Sequence, residues 1–321
     1  MSQTGQQIVS TAAAMSACGT ASGGAASGSG PSVVALGGGH GLAAALRAAR
    51  RYAGRLTAVV SVADDGGSSG RLRRELGVAP PGDLRRCLAA LSTDQGAFLK
   101  AFEHRFAAGG LEGHPMGNVL LAACFEALGG LEPGIDAVAG LLGVVGRVLP
   151  ATCDPVVLLA RTGQAVVRGQ STIMATSGIE TLYHEPASPR IPDEVLRALA
   201  QADQILVGPG SLYTSVLAVA ALPGIREVLE RSRAQRVYVA NLRPQPGETE
   251  AYDLARHLGA LGGHGVAYDI VLADPAGLDV TSCVAGDLPG GVRLHLADLA
   301  RPNGLAHDPT RLARHLSGLL G

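Results

Sequence analysis

"SVVALGGGHGLAAALRAARRYA", residues 32–53, carries three signals in one short run. After Ser32, the apolar residues Val33 to Leu36 read as a short buried strand, and Gly37, Gly38, Gly39 and Gly41 then break the run. Leu42, Ala45, Leu46 and Ala49 follow on one helical face, with Arg47, Arg50 and Arg51 mostly on the other. Strand, glycine turn and amphipathic helix form the first part of a βαβ unit, and "LTAVVSV" (56–62) supplies its second strand. The fold class that follows is α/β with a mostly parallel sheet.

The same alternation runs outward from this unit. Asp83 reads as the cap of a helix "DLRRCLAAL", and a further helix follows "GHPMGN" over about 119–128. "DEVLRALAQA", "SLYTSVLAVAAL" and "ETEAYDLARHLGAL" read as helices, with "QILVGPG", "RVYVANL", "YDIVLAD" and "RLHLADL" between and after them and a last helix near 310–320. Strands alternating with helices imply a parallel sheet covered on both faces. The middle is different. "PVVLLARTGQAVVRGQS" reads as a β-hairpin turning at Gly163–Gln164, with more extended chain over 181–184, so an insertion is expected over about 150–190. Residues 1–31 are rich in Ala, Gly and Ser and are expected to form a disordered tail, leaving 32–321 as one α/β domain.

Composition narrows the function classes. The 321 residues are 47% hydrophobic and 17% charged with a net charge of −1, which argues against a nucleic-acid footprint. With no Trp, four Phe and six Tyr, the chain is poor in stacking platforms for single strands. No apolar run reaches the roughly 18 residues of a membrane span. Five cysteines without CxxC spacing and nine scattered histidines point to a reduced, cytoplasmic protein without a zinc site.

In an open parallel sheet, ligands bind beyond the carboxyl ends of the strands, and four such ends carry unusual sequence. At Gly38, Gly39, His40 and Gly41 the backbone can approach a phosphate at a helix N-terminus, although neither the P-loop lysine nor the GxGxxG spacing is present. In "VADDGGSSGRLRRELG" (62–77), Asp64 and Asp65 stand beside a nest formed by Gly67, Ser68 and Ser69. Those acids suit Mg²⁺, ribose hydroxyls or a leaving group, or else they cap the helix that follows. In "GPGSLYTS", Gly208 and Gly210 open a turn from which Ser211, Tyr213 and Thr214 can face an anion, with helix capping as the alternative for Ser211. In "ANLRPQPGETE", Asn241, Gln245, Glu248 and Thr249 can read a base edge or a sugar, and Glu248 or Thr249 can equally start a helix. Asn118 joins them from "GHPMGN", where His114 reads as structural. Two glycine-rich turns at different strand ends suggest a nucleotide whose phosphates lie across the crevice.

"ALGGGHGL", "VADDGGSSGRLRRELG", "PPGDLRRCLAAL", "GHPMGN", "GRVLP", "GPGSLYTSV" and "QPGET" resemble, in the same order, the motifs of the YvcK family of gluconeogenesis factors, relatives of the CofD 2-phospho-L-lactate transferases. The resemblance covers the chain from about residue 32 onward. It implies a Rossmann-like three-layer αβα fold and a cytoplasmic protein that binds a nucleotide sugar, UDP-N-acetylglucosamine. It also implies a role in cell shape and wall synthesis during gluconeogenic growth, a homodimer in many members, and a wall-synthesis or regulatory protein partner that the sequence does not identify. Asp64 and Asp65 would then hold sugar hydroxyls or Mg²⁺, and the glycine-serine loops the diphosphate. His40 stands where many relatives carry Thr, and Ala306 where many carry a basic residue before His307–Asp308. A CofD-like transferase of a phosphorylated three-carbon acid is the competing function, and an NAD-dependent oxidoreductase is weakened by the broken glycine pattern.

Overall fold

A computed structural model of the chain describes residues 28–321 apart from Asp287. Most of the expected tail therefore lies outside the described residues. Its last four residues run beside the turn at Gly54, where Gly28 N–H donates to Gly54 O at 3.2 Å and Gly54 N–H to Pro31 O at 2.9 Å.

Among the described residues ten strands form two sheets: β1 (Ser32–Gly37), β2 (Arg55–Val60), β3 (Arg147–Pro150), β4 (Val157–Thr162), β5 (Ala165–Arg168), β6 (Thr181–Glu185), β7 (Gln204–Val207), β8 (Gln235–Val239), β9 (Ile270–Ala273) and β10 (Arg293–Leu296). Seven of them make one sheet in the order β10-β9-β8-β7-β1-β2-β3, every pairing parallel. Successive side chains point to opposite faces. Val33 and Ala35 belong to one core with residues of α1 (Gly39–Ala49), α3 (Gly82–Leu91) and the C-terminal helix Pro309–Gly318, whereas Val34 and Leu36 belong to a second core with residues of helices Asp193–Ala200, Pro223–Arg231 and Leu254–Gly263. Burial on both faces is why these strands read as unbroken apolar runs. The result is the expected three-layer αβα architecture.

Strand order reverses at β1. The chain runs outward through β2 and β3 on one side, then returns to lay β7 to β10 on the other. The crevice between the carboxyl ends of β1 and β7 is the switch point where open α/β sheets take ligands. Over it sits the smaller antiparallel sheet β5-β4-β6, whose hairpin turns at Gly163–Gln164 as the sequence predicts. Leu158, Ala160 and Leu182 press that sheet into the second core, and it carries the five-residue helix α7 (Gln170–Met174). Between α3 and β3 lie α4 (Ala97–Glu103), α5 (Met116–Ala127) and α6 (Leu131–Leu141), and between β2 and α3 lies α2 (Gly67–Leu76). No single helix among the described residues is long and apolar enough to cross a membrane.

Local details depart from the sequence reading. "SLYTSVLAVAAL" opens as a π-helix, Leu212–Leu217, because the Ser211 carbonyl accepts from both Ser215 N–H and Val216 N–H. The helix expected from Glu248 begins at Leu254, where Asp253 accepts from Arg256 N–H at 2.8 Å. Asp83 caps nothing. It lies in the first turn of α3 and turns instead to Arg86 and the Gly39 amide.

Candidate functional site

A cavity of about 490 Å³ opens at the switch point. Its floor is the β1–α1 turn, Gly38 to Gly41, and one side is the loop after β2 with the start of α2 (Asp64, Gly66, Gly67, Ser68 and Ser69). Gly210, Ser211, Ser215 and Gln245 bound it toward β7 and β8, and Pro115 and Asn118 bound it at the start of α5. Gln170, Ser171 and Met174 of α7 complete the wall.

Twelve residues singled out in the sequence thus converge on one space: Gly38, Gly39, His40, Gly41, Asp64, Gly67, Ser68, Ser69, Asn118, Gly210, Ser211 and Gln245. The two glycine turns meet backbone to backbone, since a Cβ on Gly41 would stand 2.3 Å from Pro209 O. Gly39, at φ +66°, adopts a conformation that favours glycine.

Asp65, Gly208, Tyr213, Thr214, Asn241, Glu248 and Thr249 stand outside the lining. The two aspartates do not act as a pair. Asp64 faces the cavity, with Oδ1 accepting from Gly66 N–H at 3.0 Å. Asp65 turns away, its two oxygens accepting from Gln170 N–H (2.9 Å) and Ser171 N–H (2.8 Å). Neither caps α2, which starts at Gly67 without a side-chain cap. Among the described residues no group of three or more His, Cys, Asp or Glu is placed to hold a metal ion.

The remaining five outer side chains, with Gly208 in the turn itself, hold up the β7 end. Asn241 Oδ1 accepts from Gly210 N–H (3.1 Å), Gln245 Nε2 donates to Ser211 Oγ (2.8 Å), and Thr249 Oγ1 accepts from Gln245 N–H (3.0 Å). Ser211 is therefore a partner of Gln245 and no side-chain cap. The Tyr213 hydroxyl donates to Ile179 O at 3.0 Å. Glu248 is wholly buried, accepts from Thr214 Oγ1 at 3.0 Å and faces the amides of Leu212 to Thr214. An internal carboxyl group thus already occupies that helix start. Burial raises the Glu248 carboxyl to about 7, against the lowering effect of these donors.

What the sequence reading missed is cationic. Arg85, Arg86 and Arg105 all line the cavity. Arg86 pairs with the buried Asp83 at 2.7 Å, and the Asp83 carboxyl is pushed up by burial against the lowering effect of Arg86. Arg85 Nε donates to Asn118 Oδ1 (3.1 Å), Asn118 Nδ2 donates to Ser68 Oγ (3.0 Å), and Ser68 Oγ lies 2.8 Å from His114 Nδ1. Burial, then the neighbouring Arg86, lowers the Arg85 guanidinium to about 10, so it stays charged at neutral pH. His40 is held below its ordinary value by desolvation first and then by Arg86, Arg85 and Arg47. A signal for these arginines was present: Arg85 and Arg86 sit at the start of a helix, where the dipole disfavours cations unless an anion joins them.

Glycine turns and three guanidinium groups thus surround one cavity, an arrangement chemically suited to an anion. Residues 33–283 match the model of the 2-phospho-L-lactate transferase CofD family. The chain belongs to the CofD family. A protein of Halalkalibacterium halodurans named "Gluconeogenesis factor" is 42% identical over 246 residues, 75% of this chain and 76% of that one. A Nostoc relative is 44% identical over 235 residues, 72% of this chain, which spans only 52% of that protein's length. The crystal structure of a UPF0052-family protein from Bacillus halodurans superposes with a TM-score of 0.84 at 35% identity, covering 90% of this chain and 99% of its own. In this CofD-family chain the twelve converging residues come from the same motifs that carry the resemblance to gluconeogenesis factors.

Proposed function

We propose that the chain binds a nucleotide sugar, UDP-N-acetylglucosamine, as a cytoplasmic regulator of cell shape and wall synthesis during gluconeogenic growth. The observation that carries this reading is the placement of Arg85, Arg86 and Arg105 around a cavity floored by the Gly38–Gly41 turn. A diphosphate matches that arrangement, since guanidinium forks favour phosphate oxygens. Ser68 and Ser69 add neutral polar groups beside it.

A second reading, transfer of a phosphorylated three-carbon acid from a nucleotide diphosphate, draws on Asp64 and Asp83. Both carboxylates line the cavity close enough for Asp64 to raise the Asp83 carboxyl. Together with phosphate oxygens they would hold Mg²⁺, which would neutralise charge on a bridging phosphate. Against a large aromatic acceptor, the lining contains no Phe, Tyr or Trp.

Calorimetric titration of UDP-N-acetylglucosamine, GDP and NAD, each with and without Mg²⁺, tests the choice. Selective binding of the UDP-sugar with no turnover by ³¹P NMR is the expected result. Preference for GDP, or cleavage of the diphosphate, favours the transferase, and binding of none of the three defeats both readings.

A further inference from the structure

The helix α7 spans the cavity like a beam, and both of its ends rest on glycines. At its start, Asp65 grips the amides of Gln170 and Ser171, and a Cβ on the preceding Gly169 would stand 2.5 Å from Asp65 Oδ2. At its end, a Cβ on Gly247 would stand 2.3 Å from Met174 O. The beam thus runs from the loop after β2 to the loop after β8, and it presents Gln170, Ser171 and Met174 to the cavity.

The chemistry of these three side chains differs from the rest of the lining. Ser68, Asn118, Ser211 and Gln245 are engaged with other side chains, and Ser69 Oγ accepts from Gly82 N–H. The Gln170 carboxamide and the Ser171 hydroxyl have no protein partner among the described residues, and Met174 is 44% exposed. None of the three carries the positive charge that the arginines bring to the rest of the lining, and the thioether has no hydrogen to donate to a phosphate. They suit an uncharged group with hydroxyls, an amide and a small apolar patch.

We propose that α7 is the selective wall of the cavity, reading the N-acylated sugar of the bound nucleotide, with Asp65 as the residue that positions it. This rests on the nucleotide-sugar reading above. The antiparallel insertion then has a role that the parallel sheet cannot supply, because the strand-end loops face the phosphates.

Titration of UDP, UDP-glucose and UDP-N-acetylglucosamine into wild type, Gln170→Ala, Met174→Ala and Asp65→Asn tests this. Wild type should prefer UDP-N-acetylglucosamine to UDP-glucose. Gln170→Ala and Met174→Ala should each lose tenfold or more of the affinity for UDP-N-acetylglucosamine while UDP changes less than threefold. Asp65→Asn should narrow the same preference, a change that a lower melting temperature alone does not produce. Equal losses for UDP and both sugars, or an unchanged preference in the two alanine variants, would overturn the assignment. If wild type binds UDP but does not distinguish the sugars, the selective wall fails and diphosphate binding survives. If wild type fails to bind UDP or either sugar, both fall together.

Discussion

Glu248 and Thr214 meet at 3.0 Å where neither side chain touches water, the first 0% and the second 1% exposed. The contact joins the loop after β8 to the π-helical turn after β7, 34 residues earlier, and fixes one side of the ligand crevice from within.

This carboxyl titrates far above its unfolded value of 4.5, at about 7. Between those values the folded chain holds a proton that the unfolded chain releases, so Glu248's contribution is fully present below 4.5 and is lost as pH rises through 7. Glu248→Gln removes this titration. Relative to wild type, the variant should gain about 2.5 kcal/mol of stability between pH 5 and pH 8. Urea unfolding of both proteins at the two pH values measures the difference, and parallel profiles would contradict it.

Two histidines act in the opposite direction. His257 and His307 are buried, and burial lowers each from 6.5 to about 4. They are neutral in the folded state, so the stability they contribute is present above 6.5 and is lost as pH falls toward 4. His257→Gln should shift the acid-unfolding midpoint to lower pH, as followed by circular dichroism. A midpoint that stays in place would show that His257 is not among the groups driving acid unfolding.

Asp64 and Asp65, adjacent in sequence, should separate in their effects. Asp65→Asn removes charge-assisted bonds to two amides and should cost about 1–3 kcal/mol of stability. Asp64→Asn should leave the melting temperature unchanged and weaken nucleotide-sugar binding with Mg²⁺ present by roughly ten- to a hundredfold. Tighter binding in Asp64→Asn would mean that this carboxylate only repels the phosphates. Thermal melts and calorimetry on both variants decide the matter.

Binding should also depend on the protonation of His40. Its value lies below 6.5 in the free protein, and a bound anion should raise it. Affinity for UDP-N-acetylglucosamine should therefore strengthen as pH falls below 6.5 toward the lowered range of His40. His40→Ala should flatten that dependence, and an equally steep profile in the variant would remove His40 from the phosphate site.

The turn at Gly41 permits a stricter geometric test. Even one methyl group there meets the Pro209 backbone, which cannot swing aside as a side chain can. Gly41→Ala should lower stability by about 1–3 kcal/mol, as overpacking does, and should abolish nucleotide binding by separating the two turns. A variant that melts and binds like wild type would show that the turns tolerate separation.

The sheet was legible because burial on both faces writes strands as unbroken apolar runs, and glycine turns mark where they end. Gly38 to Gly41 and Gly67 to Ser69 were found by that logic. Arg85 and Arg86 were not, because "DLRRCLAAL" satisfies a helical pattern without revealing which end of the helix faces the strand ends. Gln170, Ser171 and Met174 were invisible for a different reason. They reach the cavity on a helix held by Asp65, 105 residues before Gln170, and packed against Gly247 at its other end, and no local pattern encodes such contacts. Glu248 misled in the other direction, since a carboxylate in a Pro/Gly loop reads as exposed and this one is sealed inside.

The central position of β1 has a consequence for how the protein is made. Its outer neighbour β2 follows at once, but its other neighbour, β7, begins only at Gln204, and Ser32 N–H waits for the Asp203 carboxylate, 171 residues later. At a synthesis rate of about 5–20 residues per second, that interval lasts roughly ten to thirty seconds. Throughout it the nascent chain carries an apolar strand with one edge unpaired, open to any other strand nearby. Overproduction should thus load the cell's holding chaperones, and ribosome-bound chains halted before residue 204 should be captured by them more strongly than chains halted after β8.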